Sequence, residues 1–417
     1  MELRRVVITG LGVLTPIGNN VADFWNALLK GVSGASYITY FNTEKFKTKF
    51  ACELKNFNVL DYMLQKEAQR MDPVAQYALV STMEALEDSQ LDLDAVDKNR
   101  VGVVFGTGVG GFMSMQESAN VYNHNNNVPR FSPYLLIKVL ADLIPGYISL
   151  KYGFRGPNFV TTSACASSAN AIADAMQLIQ LGKADVIVAG GAEACINEIA
   201  VGGFDAMRAL STNNADPEHA SRPFDVHRDG FVMGEGAGSL ILEDLDHALA
   251  RGAKIYGEVC GVGMSADAHH VTAPDPEGLG AIMSMNLAMR DAGVHPEEVD
   301  YINMHGTSTQ LGDLSECHAI QHVFGSHAPE MVLNSTKSMI GHLLGAGAAV
   351  ESAVILLSMR DGVLHPTINI QELDPRISPE WNFAMNGPVH RDVRVAISNS
   401  FGFGGHNVSL LFKKFEC

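Results

Sequence analysis

The side chains best placed to do chemistry in this chain are a thiol and two imidazoles. Cys165, His305 and His342 lie far apart in sequence, each in a stretch rich in glycine, serine or threonine. Cys165 sits in Val160-Thr161-Thr162-Ser163-Ala164-Cys165-Ala166-Ser167-Ser168, which reads as a strand end, a sharp bend of small residues and the first turn of a helix. There the helix amide N–H groups and the positive end of its dipole favour a thiolate, the nucleophilic form. The small neighbours let a carbonyl approach the sulfur. A lone cysteine is more often a small apolar filler, and the two histidines weigh against that reading. His305 directly follows a strand and opens His305-Gly306-Thr307-Ser308-Thr309. His342 stands between Gly341 and Leu343-Leu344-Gly345-Ala346-Gly347. In that apolar company its ring is expected to be neutral near pH 7 and able to donate one N–H.

One thiol and two imidazoles fit three chemistries. A Cys–His hydrolase uses one histidine as base with an orienting Asn or Asp. A metal site wants ligands at short fixed spacing, which these three lack. Acyl transfer with carbon–carbon bond formation loads an acyl group on the thiolate and aims two N–H donors at an enolate oxygen, with no metal.

The elements that must position these residues follow from periodicity and punctuation. Apolar runs predict strands at 6–10, 101–105, 185–189, 239–242, 256–262, 301–304, 332–335, 393–398 and 408–412. Helices are expected from cap Asn20 to about 29 and from cap Asp72, with Ala75, Leu79, Met83 and Leu86 on one face. Further helices are expected over 135–152, from the Cys165 bend to about 181, over 279–292, to about 323, and over 346–359. Residues 30–61 and 120–131 read as polar surface segments. Gly106, Gly108 and Gly111 match a dinucleotide fingerprint in spacing. No helix cap follows, and no acidic residue lies about twenty residues on, so the run reads as loop packing near a site.

From Lys254 the pattern starts again. Thr161–Ser168 in one half and Ser335–His342 in the other are both small-residue strand-to-helix bends, which predicts a duplicated α/β unit with the site between its copies. The expected division is 1–253, with the cysteine, and 254–417, with both histidines.

The totals agree with an α/β enzyme. The 417 residues are 47% hydrophobic and 18% charged, with 40 glycines, which suits a large core with many tight turns. A net charge of −17 repels nucleic-acid phosphates, so nucleic-acid binding is not expected. Cys52, Cys165, Cys195, Cys260, Cys317 and Cys417 form no C-x-x-C pair. Neither a zinc site nor a disulfide framework is expected, and the compartment reads as reducing. Met1 leads almost directly into the first strand, so no signal peptide is expected, and no apolar run is long enough to span a bilayer.

Four motifs carry a resemblance over essentially the whole chain. They are Thr162–Ser167, His305–Thr309 with Asp313 and Glu316, Lys337–Ala346, and Asn399-Ser400-Phe401-Gly402-Phe403-Gly404-Gly405. In order and spacing they resemble the β-ketoacyl-[acyl-carrier-protein] synthase family, most nearly the type II condensing enzymes of fatty acid synthesis. The resemblance implies a thiolase-like fold, two similar α/β halves in a five-layered αβαβα arrangement. It implies decarboxylative Claisen condensation of an acyl thioester with malonyl-[acyl-carrier-protein], giving 3-oxoacyl-[acyl-carrier-protein] and CO2. By the same resemblance Cys165 is the nucleophile, His305 and His342 promote decarboxylation, and Lys337 orders their network. Backbone N–H groups of Cys165 and Phe403 form the oxyanion hole, and Phe403 is a gate. Thr307 and Thr309 meet the pantetheine arm, Val109 and Phe204 line the acyl tunnel, and Asp313 and Glu316 support the network. Lys66, Arg70, Arg130 and Arg208 match a docking patch for an acidic acyl carrier protein. The resemblance further implies a cytoplasmic homodimer with no cofactor, no metal and no membrane partner.

Departures from the family pattern are few. His406 stands where many members have Thr and is expected beside the site rather than in it. Ile340 replaces a commoner Thr. His342, in place of the Asn of enzymes that prime from coenzyme A, argues for carrier-protein substrates in both steps. A polyketide-type ketosynthase and a non-catalytic carrier-protein-binding subunit are the alternative readings, and Cys165 argues against the second.

Overall fold

The computed structural model describes residues 3–416; Met1 and Cys417 lie outside the described residues. Ten strands make the main sheet. They are β1 (Val6–Leu14), β2 (Val101–Gly106), β3 (Asn158–Thr161), β4 (Val186–Glu193), β5 (Gly236–Asp244), β6 (Gly257–Ala266), β7 (Tyr301–Asn303), β8 (Val332–Asn334), β9 (Val395–Gly402) and β10 (His406–Lys413). Their spatial order is β8-β7-β9-β10-β6-β1-β5-β4-β2-β3. Counted within its own half, each set of five therefore runs 3-2-4-5-1. The pairing senses match as well. β2 is parallel to β3 and β4, and β7 is parallel to β8 and β9. The remaining pairs in each half are antiparallel. Within the sheet, β1 and β6 pair the two halves through Val7↔Glu258 and Ile8↔Gly257.

Besides the short helices Gln65–Ala68, Leu245–Ala250 and Lys337–Ile340, the helices are α1 (Val21–Leu29), α2 (Pro73–Ser89), α3 (Phe112–His124), α4 (Leu135–Val139), α5 (Leu143–Tyr152), α6 (Ser167–Gln180), α7 (Glu198–Ala206), α8 (Leu279–Ala292), α9 (Gln310–Phe324) and α10 (Gly347–Asp361). Asn20 caps α1 by accepting the Asp23 N–H at 2.8 Å, and Asp72 caps α2 by accepting the Val74 N–H at 3.0 Å. α2 packs on β1 and β5 outside the first half; α8 packs on β6 and β10 outside the second, with α9 against it. α6 and α10 lie together between the two five-stranded units, against β2, β4, β5 and β9. The result is the αβαβα arrangement of two similar α/β halves. α10 is buried from Gly347 to Met359, as a helix covered on both sides must be. Its one charged residue inside that run, Glu351, is paired with Lys337.

Several expectations need correcting. A helix, α3, does follow the glycine run; its cap position is Gly111, which offers no side chain, so the usual start signal is missing. Residues 120–124 are accordingly helical. The stretch 135–152 is two helices, because Pro145 in the first turn of α5 cannot tolerate a helical carbonyl four residues back, at Ala141. Residues 30–61 are not a free surface excursion: Ala35, Ile38, Phe50, Ala51 and Cys52 are buried, and the Cys52 N–H donates to the Met233 carbonyl at 2.8 Å. α7 is unanticipated, since Gly202 and Gly203 depress its helix propensity.

Candidate active site

The nucleophile candidate sits on a strained bend. β3 ends at Thr161, a short turn spans Ala164–Ala166, and α6 follows. Ala164 has φ 52°, in the left-handed region that costs a residue with a Cβ. Hydroxyl groups hold the bend. The Ser167 Oγ accepts the Ser163 N–H at 2.9 Å and donates to the Ala164 carbonyl at 2.6 Å. The Thr161 hydroxyl donates to the Ser167 carbonyl at 2.8 Å. The turn seats directly on β2, where a Cβ on Gly106 would lie 2.3 Å from the Ser167 backbone.

Burial pushes the Cys165 thiol up to about 11. The Lys337 charge and the backbone N–H groups of Phe403 and of Cys165 itself, all aimed at the sulfur, oppose this. This corrects the expected resting thiolate: the helix-end amides are present, but desolvation outweighs them. The same two N–H groups therefore both lie within hydrogen-bond reach of the sulfur. A Cβ on Gly402 would sit 2.7 Å from the Ser163 carbonyl and 3.1 Å from the Cys165 nitrogen, so only glycine lets the 402–403 backbone come this close.

The second half brings the imidazoles. His342 Nε2 is 3.0 Å from Cys165 Sγ. On its far side His342 Nδ1 accepts the Leu344 N–H at 3.2 Å. A ring nitrogen that accepts carries no proton, so the neutral ring bears its proton on Nε2, facing the sulfur. The His305 ring lies 5.3 Å from that of His342, nearly perpendicular to it. Burial holds both rings well below the usual histidine range, reinforced at each by the nearby Lys337 charge. Both are therefore neutral N–H donors at pH 7.

Buried polar residues hold these groups from behind. Glu316 on α9 accepts the backbone N–H groups of His305 and Gly306, both at 2.9 Å, and its carboxyl is raised by burial to about 7. Asn399 Nδ2 donates to the same carboxylate at 3.1 Å. Asp313, one turn earlier, accepts the Ser308 N–H at 3.1 Å and the Phe224 N–H at 2.9 Å. Lys337 is buried and ion-paired with Glu351. Burial raises the Glu351 carboxyl, and the ammonium of Lys337 opposes it.

Cys165, His305, His342, Thr307, Thr309, Phe403, Val109, Phe204 and Arg208 all line one cavity of about 560 Å³. Thr307 and Thr309 pair their hydroxyls at 3.0 Å. Phe403 leans on Phe204 at 6.4 Å, Phe204 on Phe231 at 5.3 Å, and Phe231 on the His342 ring at 5.3 Å. Gly404 and Gly405 follow Phe403 at φ 91° and 75°. Lys337, Asp313 and Glu316 stand behind the lining. Lys66, Arg70 and Arg130 are exposed and off it; Arg70 lies over the Tyr134 ring at 5.3 Å. His406 is exposed, against Gly404, and off the lining. Sequence reasoning missed Phe231, Leu344 and Glu193. A lone carboxylate in the apolar run 186–196 was the available signal for the last.

A buried thiol against one neutral imidazole with a second beside it, on the seam of a two-halved αβαβα frame, fits a condensing enzyme of acyltransferase type. The chain belongs to the beta-ketoacyl synthase family. Residues 3–248 match its N-terminal domain and residues 256–371 its C-terminal domain. It is 47% identical over 413 residues, 99% of each chain, to 3-oxoacyl-[acyl-carrier-protein] synthase 2 of Staphylococcus aureus (strain COL). It is 43% identical over 416 residues, 100% of this chain and 99% of the other, to the protein of that name from Synechocystis. Among solved structures, a beta-ketoacyl synthase from Burkholderia phymatum superposes with TM-score 0.91 at 33% identity, covering 99% of this chain and 100% of that one. A type II PKS acyl-carrier protein in complex with its ketosynthase bound to the hexaketide superposes with TM-score 0.92 at 31% identity, over the full length of both chains.

Proposed function

We propose that the protein is an elongating 3-oxoacyl-[acyl-carrier-protein] synthase in which Cys165, His305 and His342 carry the reaction. The observation that supports this most directly is His342 Nε2 at 3.0 Å from Cys165 Sγ, with His305 beside it. The acyl carbonyl carbon bonds to Cys165 Sγ as its bond to the carrier thiol breaks, the two backbone N–H groups holding the oxygen. The thiol proton leaves with the carrier thiol. Malonyl carrier protein then enters along Thr307 and Thr309. Its thioester oxygen lies between the N–H groups of His305 and His342, which stabilise the enolate formed as CO2 departs. The enolate carbon attacks the acyl carbonyl, a C–C bond forms, the C–S bond breaks, and the sulfur takes up a proton. Lys337, Asp313 and Glu316 position these groups, Phe403 gates the tunnel, and Val109 and Phe204 line it. Cys165 belongs to the first half, 1–253, and both histidines to the second, 254–417.

The carrier partner is an acyl carrier protein, and Lys66, Arg70, Arg130 and Arg208 are the exposed cations proposed to meet it. No helix among the described residues is long and apolar enough to cross a membrane, and we read the enzyme as cytoplasmic. Likeness to a polyketide carrier–ketosynthase complex favours polyketide elongation as the second reading.

Purified protein supplied with acyl- and malonyl-carrier proteins tests both. Fatty-acid use predicts one two-carbon extension per cycle; repeated condensation without reduction points to the polyketide reading. Cys165→Ala is expected to abolish condensation while malonyl decarboxylation persists. Undiminished condensation by that variant would rule out the nucleophile.

A further inference from the structure

A buried carboxylate that the condensation chemistry does not use lies under both walls of the cavity. Glu193, the last residue of β4, is fully buried. One oxygen accepts the Gly108 N–H at 2.7 Å and the Gly345 N–H at 2.9 Å. The other accepts the Thr107 hydroxyl at 3.1 Å and the Val109 N–H at 3.3 Å. Four donors and no other acceptor converge on it, a pattern only an ionised carboxylate satisfies in full.

The donors come from two loops with different duties. Residues 107–109 end at Val109, in the tunnel wall. Gly345 follows Leu344, whose N–H is the group that His342 Nδ1 accepts. Leu344 itself has φ 48°, unfavourable for a branched side chain, so this turn depends on its hydrogen bonds. The two loops also touch: a Cβ on Gly345 would lie 2.3 Å from the Gly108 nitrogen.

We propose that Glu193 is a positioning residue that ties the acyl-tunnel wall at Val109 to the turn fixing the tautomer of His342. The idea rests on the reading of His342 as an N–H donor. Without the carboxylate the Gly345 N–H loses its acceptor, and the turn relaxes away from its strained conformation. Leu344 N–H then leaves His342 Nδ1. The ring is free to carry its proton on Nδ1, where it offers no donor to the enolate oxygen. The same loss frees Val109 and alters which acyl lengths fit.

The test reads the tautomer and the half-reactions separately. Protein labelled with 15N-histidine, with the His342 signal assigned through His342→Asn, reports which ring nitrogen is protonated. Wild type is expected to show Nε2–H alone. Glu193→Met, which has no acceptor oxygen, is expected to show an Nδ1–H population and a kcat for malonyl decarboxylation lowered roughly 10–100-fold. Its KM for malonyl carrier protein should stay within about two-fold, because Thr307 and Thr309 are untouched. Thr107→Val removes one donor and spares the Gly345 bond. It should shift the preferred acyl length while leaving tautomer and decarboxylation as in wild type.

A folded Glu193→Met protein with a wild-type tautomer overturns the proposal. So does a raised KM with unchanged kcat, or an unaltered length preference in Thr107→Val. If Glu193→Met does not fold, Glu193→Asp replaces it, its shorter carboxylate reaching only one loop; wild-type behaviour there overturns the proposal equally. The tautomer is read in resting protein, so it is decided even if wild type fails to condense acyl chains.

Discussion

Cys165 carries two opposing influences, and their balance is measurable. Burial raises its thiol to about 11 while Lys337 and two backbone N–H groups pull it down. Alkylation of the resting enzyme should therefore accelerate about ten-fold per pH unit from about pH 7 to about pH 10, without the plateau of a low-pKa thiolate. Lys337→Met should slow it further at any fixed pH.

The imidazoles carry the opposite sign. Burial depresses both, so each stays neutral well below pH 6.5, the ordinary histidine value. The folded state takes up fewer protons there than the unfolded chain. Their contribution to stability is thus complete above that value and is lost as pH falls through it toward the folded pKa. Ring 13C shifts of His305 and His342 should stay flat as pH is lowered through that value.

Lys337 and Glu351 are both buried, so removing one charge strands the other. Lys337→Met alone is expected to cost about 3–5 kcal/mol in chemical denaturation. The double variant with Glu351→Leu should recover most of that loss.

At the scale of elements, the site depends on backbone approach as much as on side chains. Gly402→Ala places a methyl 2.7 Å from the Ser163 carbonyl, beside the Phe403 N–H that faces the sulfur. Acylation of Cys165, followed by mass spectrometry, should slow by roughly 100-fold, the cost of a misplaced oxyanion donor. Such close approaches also explain what was legible in the sequence. Strands such as 101–106 and helices such as 279–292 announced themselves by apolar runs and periodicity. The three reactive side chains stood out because small residues surrounded them. α3 and the break before α5 escaped because Gly111 gives no cap signal and Pro145 acts one turn upstream of itself. The state of the Cys165 thiol escaped for another reason. Local sequence shows the helix end, but the burial that outweighs it comes from distant segments, including the 401–403 loop.

At the scale of the whole molecule, the two halves differ at their outer edges. β8 is buried and bridged to Asn382, whereas β3 leaves Asn158 exposed and its other residues half-buried, with no strand among the described residues on its far side. Open edges of this kind pair readily with another strand. Phe131, Leu136 and Leu140, in the same half of the chain, are exposed as well. A second copy of this chain is the proposed cover, and light scattering should return twice the mass of the 44.8 kDa chain. Leu136→Asp should lower that mass toward one chain.

The identical strand order on either side of a two-residue junction has a further consequence. Cys165 lies in one half and both rings in the other, so the proposed reactive centre exists only at their seam. A single ancestral repeat could have supplied a scaffold for it but not the centre itself. Chains severed between the repeats should be inert apart and regain turnover only when the two pieces reassociate.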